Sequence, residues 1–391
     1  MTEPPAPVVP ASLRAFVLYF LRLGTFGFGG PIALAGYMQR DLVEQRRWIA
    51  AEDYRQGLAL AQLAPGPLAA QLAMYLGWVR GRILGATLVA VVFVAPSFVM
   101  VLALSALYVR FGGLPWMQAA FYGIGAAVIA IIARSAAKLV TMTLARDRLL
   151  WALFGVSLAV TAWTETEIVW LFVASGLVPV FARTSAAGSP RAAATWPLAL
   201  APAIGAATSG GILGTLFIYF GAAGLFVFGS GLAIVPFLHG GVVDQFHWLT
   251  ERQFLDAVAV SMITPGPVVI TVAFIGYLVA GPLGAGAAAA GVFAPVYGVT
   301  IFAAPHFRRL AASPRIRAFV DGVTAAATGA IAGAVIVLGR RALVDWPTVL
   351  ICAATLVLIV KFRRLPEPLL IIAAGLVGLA LHATVPSPVH P

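Results

Sequence analysis

Apolar runs long enough to cross a membrane recur along the chain at 83–109, 115–139, 199–238, 283–305 and 318–339, without alternating apolar and polar residues. Each can satisfy its backbone polar groups inside a helix, as a bilayer demands. The strands of a membrane barrel would alternate instead. In the first half the pattern predicts five crossings, at about 13–39, 83–109, 115–139, 148–163 and 167–182. The stretch 53–79 differs: two moderately apolar arms, 53–64 and 68–79, are each shorter than a span and meet at Pro65-Gly66-Pro67. Proline removes a donor and clashes with the preceding helical turn, so this segment is expected to be a re-entrant hairpin.

Composition agrees with that pattern. The chain has 391 residues, 61% hydrophobic and only 10% charged, with a mean hydropathy of +0.98. A soluble domain carries roughly 25% charged residues. The net charge of +11 sits in short clusters between apolar runs: RRW at 46–48, RDR at 146–148, FRRLAASPRIR at 307–317 and KFRR at 361–364. Such clusters set membrane topology, so lipid is the expected partner and nucleic acid is not. Cys352 excludes an intramolecular disulfide. The start, MTEPPAPVVPAS, has no basic region before a short apolar core. The first helix is therefore expected to act as its own insertion signal. The five histidines show no metal-ligand spacing and no phosphate-cradling Gly-Lys-Ser/Thr loop occurs, so neither an enzyme nor a cofactor is expected.

A shift of 200 residues aligns the halves. Tyr19, Phe20 and Gly24 fall on Tyr219, Phe220 and Gly224; Gln45 and Trp48 fall on Gln245 and Trp248. Pro65-Gly66-Pro67 falls on Pro265-Gly266-Pro267. One deletion later the shift is 199, pairing Gly85 with Gly284 and Pro96 with Pro295. The division expected is a first repeat at 1–182, a polar linker at 183–198 and a second repeat at 199–391. Loop charges do not match between the halves. Arg40, Arg46, Arg47 and Arg55 face only Arg252 at the equivalent place, whereas Arg110 alone faces Arg308, Arg309, Arg315 and Arg317. If basic loops stay cytoplasmic, equivalent loops lie on opposite sides. The expected fold is an all-α polytopic membrane protein of two inverted-topology repeats, each about five transmembrane helices plus a re-entrant Pro-Gly-Pro hairpin. A parallel duplication with drifted charges is the alternative.

Inside a bilayer each freed backbone group costs several kcal/mol unless it is satisfied, so the triplets must face protein or a solute. The arm after each triplet starts a helix whose first N–H groups carry the positive end of its dipole, which suits an anion near the midplane. FGFGGP at 26–31 is a second break, with Phe28, Gly29, Gly30 and Pro31; its counterpart carries Gly229, Ser230 and Gly231. Close helix packing is the other use of such glycines. Side chains placed to join the backbone are Gln62 and Gln71 beside the first triplet, and Ser261 and Thr264 beside the second. Arg80, Arg82, Arg134 and Lys138 can either attract anions or anchor the helices at the interface. A coupling proton would need a carboxylate, and Glu44, Asp53, Asp244 and Asp256 are the candidates.

FGFGGP, a basic stretch ending in Trp48, then LALAQLAPGP followed by Gln71 and YLG, and later the Pro-Ser pair at 96–97, together resemble the chromate transporter family in its long, two-domain form. The resemblance covers both halves, although Gly-Ser-Gly stands where the first half reads Gly-Gly-Pro. It implies a bacterial inner-membrane transporter that expels chromate, a tetrahedral dianion shaped like sulfate, driven by the membrane potential or a proton gradient. By position it implies roles for Phe28, Gly29, Gly30, Pro31, Trp48 and Pro65–Pro67, and for Phe228, Gly229, Trp248 and Pro265–Pro267. The expected partners are chromate or a related oxyanion, lipid, protons as coupling ion, and a second copy in a homodimer. A sulfate transporter and a non-transporting membrane scaffold or membrane-embedded enzyme are the rival functions.

Overall fold

The structure, a computed structural model, describes residues 9, 11–28, 30–111, 114–144, 147–164, 169–184, 211–225, 227, 234–362 and 365–384. Among them there is no strand. The first repeat runs α1 (Leu13–Phe26), α2 (Gly30–Met38) with a π-helical extension Gln39–Gln45, α3 (Ala51–Leu63), α4 (Leu68–Phe111), α5 (Pro115–Thr143), α6 (Arg148–Thr164) and α7 (Val169–Thr184). The second runs α8 (Gly211–Leu225), α9 (Ile234–His239) with a π-helical extension Gly240–Gln245, α10 (Glu251–Ile263), a short 3-10 turn Val268–Ile270, α11 (Thr271–Ala312), α12 (Pro314–Ala342), α13 (Trp346–Lys361) and α14 (Glu367–Thr384). The starts follow from local chemistry. Ser12 caps α1, Pro115 and Pro314 open α5 and α12 where a missing N–H is harmless, and capping boxes at Thr250/Gln253 and Asp345/Thr348 open α10 and α13.

The repeat extends to the irregular backbone. Left-handed residues follow both π turns, at Arg47 (φ 54°) and His247 (φ 51°), and sit at equivalent kinks, at Arg82 (φ 52°) and Gly281 (φ 61°). At those kinks the long helices α4 and α11 each divide in two. A Cβ on Gly77 would lie 2.6 Å from the Gly85 oxygen, and one on Gly276 would lie 2.3 Å from the Gly284 oxygen. Residues eight apart in a straight helix stand roughly 12 Å apart. The arm 68–80 therefore folds back on the segment 83–111, and 271–279 does the same on 282–312.

The run 13–39, predicted as one crossing, is two helices. The glycine-rich stretch leaves the helix at Gly27 (φ −82°, ψ 102°), and α2 starts afresh at Gly30.

The repeats interlock. The last two helices of each one pack on the long helix α12 or α5 of the other: α6 and α7 on α12, α13 and α14 on α5. Small residues make this approach close. A Cβ on Gly329 would come 2.3 Å from the Phe154 oxygen, and one on Gly123 would come 2.0 Å from the Ala374 oxygen. Without a water-driven force between helices in lipid, such backbone-to-backbone packing is what holds spans together.

Among the described residues, four helices are long and apolar enough to cross a membrane: Leu68–Phe111, Pro115–Thr141, Val268–His306 and Pro314–Ala342. Their outer faces carry exposed Ile83, Leu84, Val91, Val99 and Leu283, an apolar surface that water would not tolerate. Trp163 and Trp346, 89% and 80% exposed, lie at helix ends, where an aromatic belt meets lipid headgroups. The chain is a multi-pass helical membrane protein built from two repeats.

Candidate functional site

Both Pro-Gly-Pro bends lie in the interior: Gly66, Pro67, Pro265, Gly266 and Pro267 are buried and Pro65 is half-buried. Gly66 (φ 137°) and Gly266 (φ 98°) take backbone conformations that side chains rarely adopt. Each glycine reaches into the opposite repeat. The Gly66 N–H donates to the Val227 carbonyl at 2.6 Å, and the Gly266 N–H donates to the Gly27 carbonyl at 2.9 Å. Gly27 and Val227 are the same repeat position, at the two glycine-rich breaks. The four interruptions seen in the sequence thus meet as two reciprocal clasps, each joining the bend of one repeat to the break of the other.

The bend carbonyls are held differently on the two sides. Gln71 Nε2 donates to the Pro65 oxygen at 2.6 Å, within one repeat. The Ser97 hydroxyl donates to the Pro265 oxygen at 2.7 Å, across the repeats. Val296, which matches Ser97, packs instead on Gly66, where a Cβ would come 2.7 Å from its Cγ1. The first helical bond of α4 is Gln71 N–H to the Pro67 oxygen, and the first after the second bend is Ile270 N–H to the Pro267 oxygen. The N–H groups of Leu68, Ala69 and Ala70, and those of Val268 and Val269, precede those bonds and lack a partner within their own helix. Together they place two positive dipole ends beside the crossed clasps.

Other predicted residues are distributed more widely. Phe28 is half-buried, and Gly30 and Pro31 open α2; Gly29, Phe228, Gly229, Ser230 and Gly231 fall outside the described residues. Trp48 and Trp248 close the two π turns, donating N–H to Leu42 and Val242 carbonyls at 2.8 Å each. Gln62 is exposed on α3. Ser261 and Thr264 are buried, and their hydroxyls donate to the Val258 and Ser261 carbonyls of their own helix. Arg80 is half-buried, and Arg82 is exposed with its guanidinium 4.6 Å from the Trp78 ring centre. Arg134 and Lys138 lie within electrostatic reach of Glu367 at the start of α14, a neighbour invisible in sequence spacing.

The four carboxylates separate. Glu44 is exposed and accepts from Gln39 Nε2 at 3.2 Å, while Asp53 is half-buried in the first turn of α3. Asp256, only 4% exposed, accepts a 2.7 Å hydrogen bond from the Tyr108 hydroxyl of the first repeat. Asp244 lies 3.2 Å from His239 Nδ1, an ion-pair distance without hydrogen-bond geometry. His239 Nε2 stands 2.9 Å from both oxygens of Glu251, which Arg341 also pairs. His239, Asp244 and Glu251 form a group of metal-ligating types that spacing alone did not suggest. The two carboxylates approach opposite edges of the imidazole, and Arg341 also pairs with Glu251.

Sequence reasoning missed Ser97, Tyr108 and the carbonyls of Gly27 and Val227. Only Ser97 carried a signal, as part of the Pro-Ser pair.

Comparisons with known proteins converge. The family model described as "Chromate transporter" matches residues 14–180 and again 214–379. A "Chromate transport protein" of Cupriavidus metallidurans is 58% identical over 375 residues, 95% of this chain and 94% of that protein. A "Probable chromate transport protein" of Synechococcus elongatus is 53% identical over 381 residues, 94% of this chain and 95% of that protein. A "Chromate transport protein" of Pseudomonas aeruginosa is 32% identical over 389 residues, 94% of this chain and 92% of that protein. No solved structure matches the chain.

Proposed function

The chain belongs to the chromate transporter family, matched in both of its halves, and on that premise we propose that it exports chromate across a bacterial inner membrane as a secondary transporter, so conferring chromate resistance. The observation that carries the reading is the pair of reciprocal clasps, Gly66 to Val227 and Gly266 to Gly27. Two bends tied to each other's repeat at buried positions form one element with two arrangements, clasped and open.

The chemistry follows from what an oxyanion offers. A tetrahedral dianion carries only acceptor oxygens, and hydrogen bonds to a charged acceptor are roughly twice as strong as neutral ones. An anion arriving at the bends competes with the Val227 and Gly27 carbonyls for the glycine N–H groups, and adds contacts to the free first-turn N–H groups of α4 and of the 268–270 turn. It therefore favours the open arrangement over the clasped one, which is the differential affinity that any ligand-driven change requires. Among the described residues, the atoms nearest Gly66 and Gly266 belong to Gln71, Val296, Ser97 and Gly24, none of them charged, so the anion is held without being trapped. In this reading the arms 51–63 with 68–80, and 251–263 with 268–279, dip into the bilayer as re-entrant hairpins. The repeats are related by an axis in the membrane plane, as their unmatched loop charges support. The inside-negative potential expels the anion.

The test is radiolabelled chromate uptake into inverted vesicles, with sulfate as competitor. Gly66→Leu and Gly266→Leu should each abolish flux while the protein still inserts. Wild-type flux from a normally folded double variant sinks the site. Sulfate carried in preference to chromate would replace the substrate, and intact chromate resistance without the triplets would favour a scaffold.

A further inference from the structure

Among the described residues, Asp256 is the only fully buried acidic side chain. It lies on α10 about two and a half turns before the second bend. A carboxylate withdrawn from water needs a paired charge or a proton. Its close donor, 2.7 Å away, is the neutral Tyr108 hydroxyl from α4. Arg252, on its own helix, acts on it through space but directs its guanidinium to the Gln118 carbonyl of α5 at 3.0 Å. At the first turn of α10, Glu251 is engaged by His239 and Arg341, with Asp244 on the far side of the imidazole. From α14, Leu370 and Ile371 add only apolar surface to the same core. In the first repeat the equivalent position is Gln56, which donates to the exposed Glu52 at 3.0 Å. The buried carboxyl is thus a property of one repeat.

We propose that Asp256 is a proton-binding site linked to the crossed bends, so that a proton on Asp256 and an oxyanion at the bends bind together. This deepens the transport reading above and rests on it. The bend stands roughly 10–15 Å along the helix from Asp256. At that separation, in an interior of moderate dielectric, an unprotonated carboxylate weakens anion binding by about tenfold per unit of anion charge. A second link is mechanical. Tyr108 donates to a charged carboxylate about twice as strongly as to a neutral carboxyl. Proton uptake therefore loosens α10 of the second repeat from α4 of the first, whose Ser97 also holds the Pro265 carbonyl of the bend that α10 leads into. The proton comes from solvent and adds to a carboxyl oxygen, and Tyr108 keeps its own. A dianion with one proton still moves one net negative charge, which the membrane potential drives outward.

The experiment compares wild-type and Asp256→Asn protein in proteoliposomes, reading the apparent chromate affinity from mildly acidic to mildly alkaline pH. Chromate's own protonation cancels in the ratio at each pH. The wild type should lose affinity relative to the variant as pH rises, by about ten- to hundredfold, and the variant should stay tight. A variant that tracks the wild type at every pH overturns the proposal. Should Asp256→Asn fail to fold, the native protein decides. At mildly alkaline pH, where chromate is fully deprotonated, adding chromate to weakly buffered protein should draw protons from solution. No uptake beyond a protein-free blank overturns the linkage. Absence of chromate flux in the wild type would instead bring down the transport reading itself.

Discussion

At the residue scale the two bends are alike in the chain and unlike in their surroundings. A Cβ on Gly266 would lie 2.0 Å from Ser97 Oγ, with the Gly24 oxygen 3.5 Å away. A Cβ on Gly66 would meet Val296 Cγ1 and Gln71 Nε2, both at 2.7 Å. Both glycines carry positive φ, so alanine at either adds strain of about 1–3 kcal/mol. Both struck groups are held to a bend carbonyl, but a Cβ on Gly266 overlaps the Ser97 hydroxyl more deeply than one on Gly66 overlaps Val296 or Gln71, so Gly266→Ala should destabilise more. Ser97→Ala should cost about 1–3 kcal/mol by orphaning that buried carbonyl. Thermal unfolding in detergent checks both, and equal melting temperatures for the two glycine variants would count against the asymmetry.

At the element scale the arms exist because glycine lets helices touch backbone to backbone. Gly77 faces Gly85, and Gly276 faces Gly284, across the fold-back at each kink. A larger residue must push the arm off its span, and overpacking of this kind costs typically 1–3 kcal/mol. Gly77→Leu and Gly276→Leu should therefore lower the folded yield and abolish transport together. Gly286 is the control: a Cβ there meets nothing within 4 Å, so Gly286→Ala should leave folding unchanged or improve it through helix propensity. Fluorescence-detected size exclusion reads both outcomes. The breaks were legible beforehand: Pro-Gly-Pro and Gly-Gly declare themselves, because proline and glycine act on their own backbone, whereas the kinks at Arg82 and Gly281 were not read from the pattern. The division of 13–39 into α1 and α2 was half-legible, since the break at 27–30 was visible but its power to end the helix depends on what packs there.

At the scale of the whole molecule the repeats do not sit side by side. Each sends its last two helices onto the other's long helix, and each bend donates into the other's break. Each clasp therefore joins both repeats. The inverted arrangement can be tested directly with topology reporters fused at positions 50, 112, 245 and 312. Positions 50 and 312 should report one side of the membrane, and 112 and 245 the other. Reporters at 50 and 245 on the same side would mean a parallel duplication.

The amino-acid sequence alone determined the class, the helices and the repeat, because hydrophobic length, proline and glycine chemistry and loop charge are local properties that a bilayer reads directly. It also placed the breaks in register, since a shift of 200 residues brings Gly66 onto Gly266. Only the tertiary structure decided what the breaks do to each other. That the Gly66 amide finds Val227, that Ser97 rather than Val296 grips a bend, and that Asp256 is buried under Tyr108 while Asp53 and Glu44 are not, all depend on contacts between residues roughly 150 or more positions apart. A hydrogen bond across two repeats has no periodicity for a linear pattern to show. It arises when packing has already brought the partners within reach.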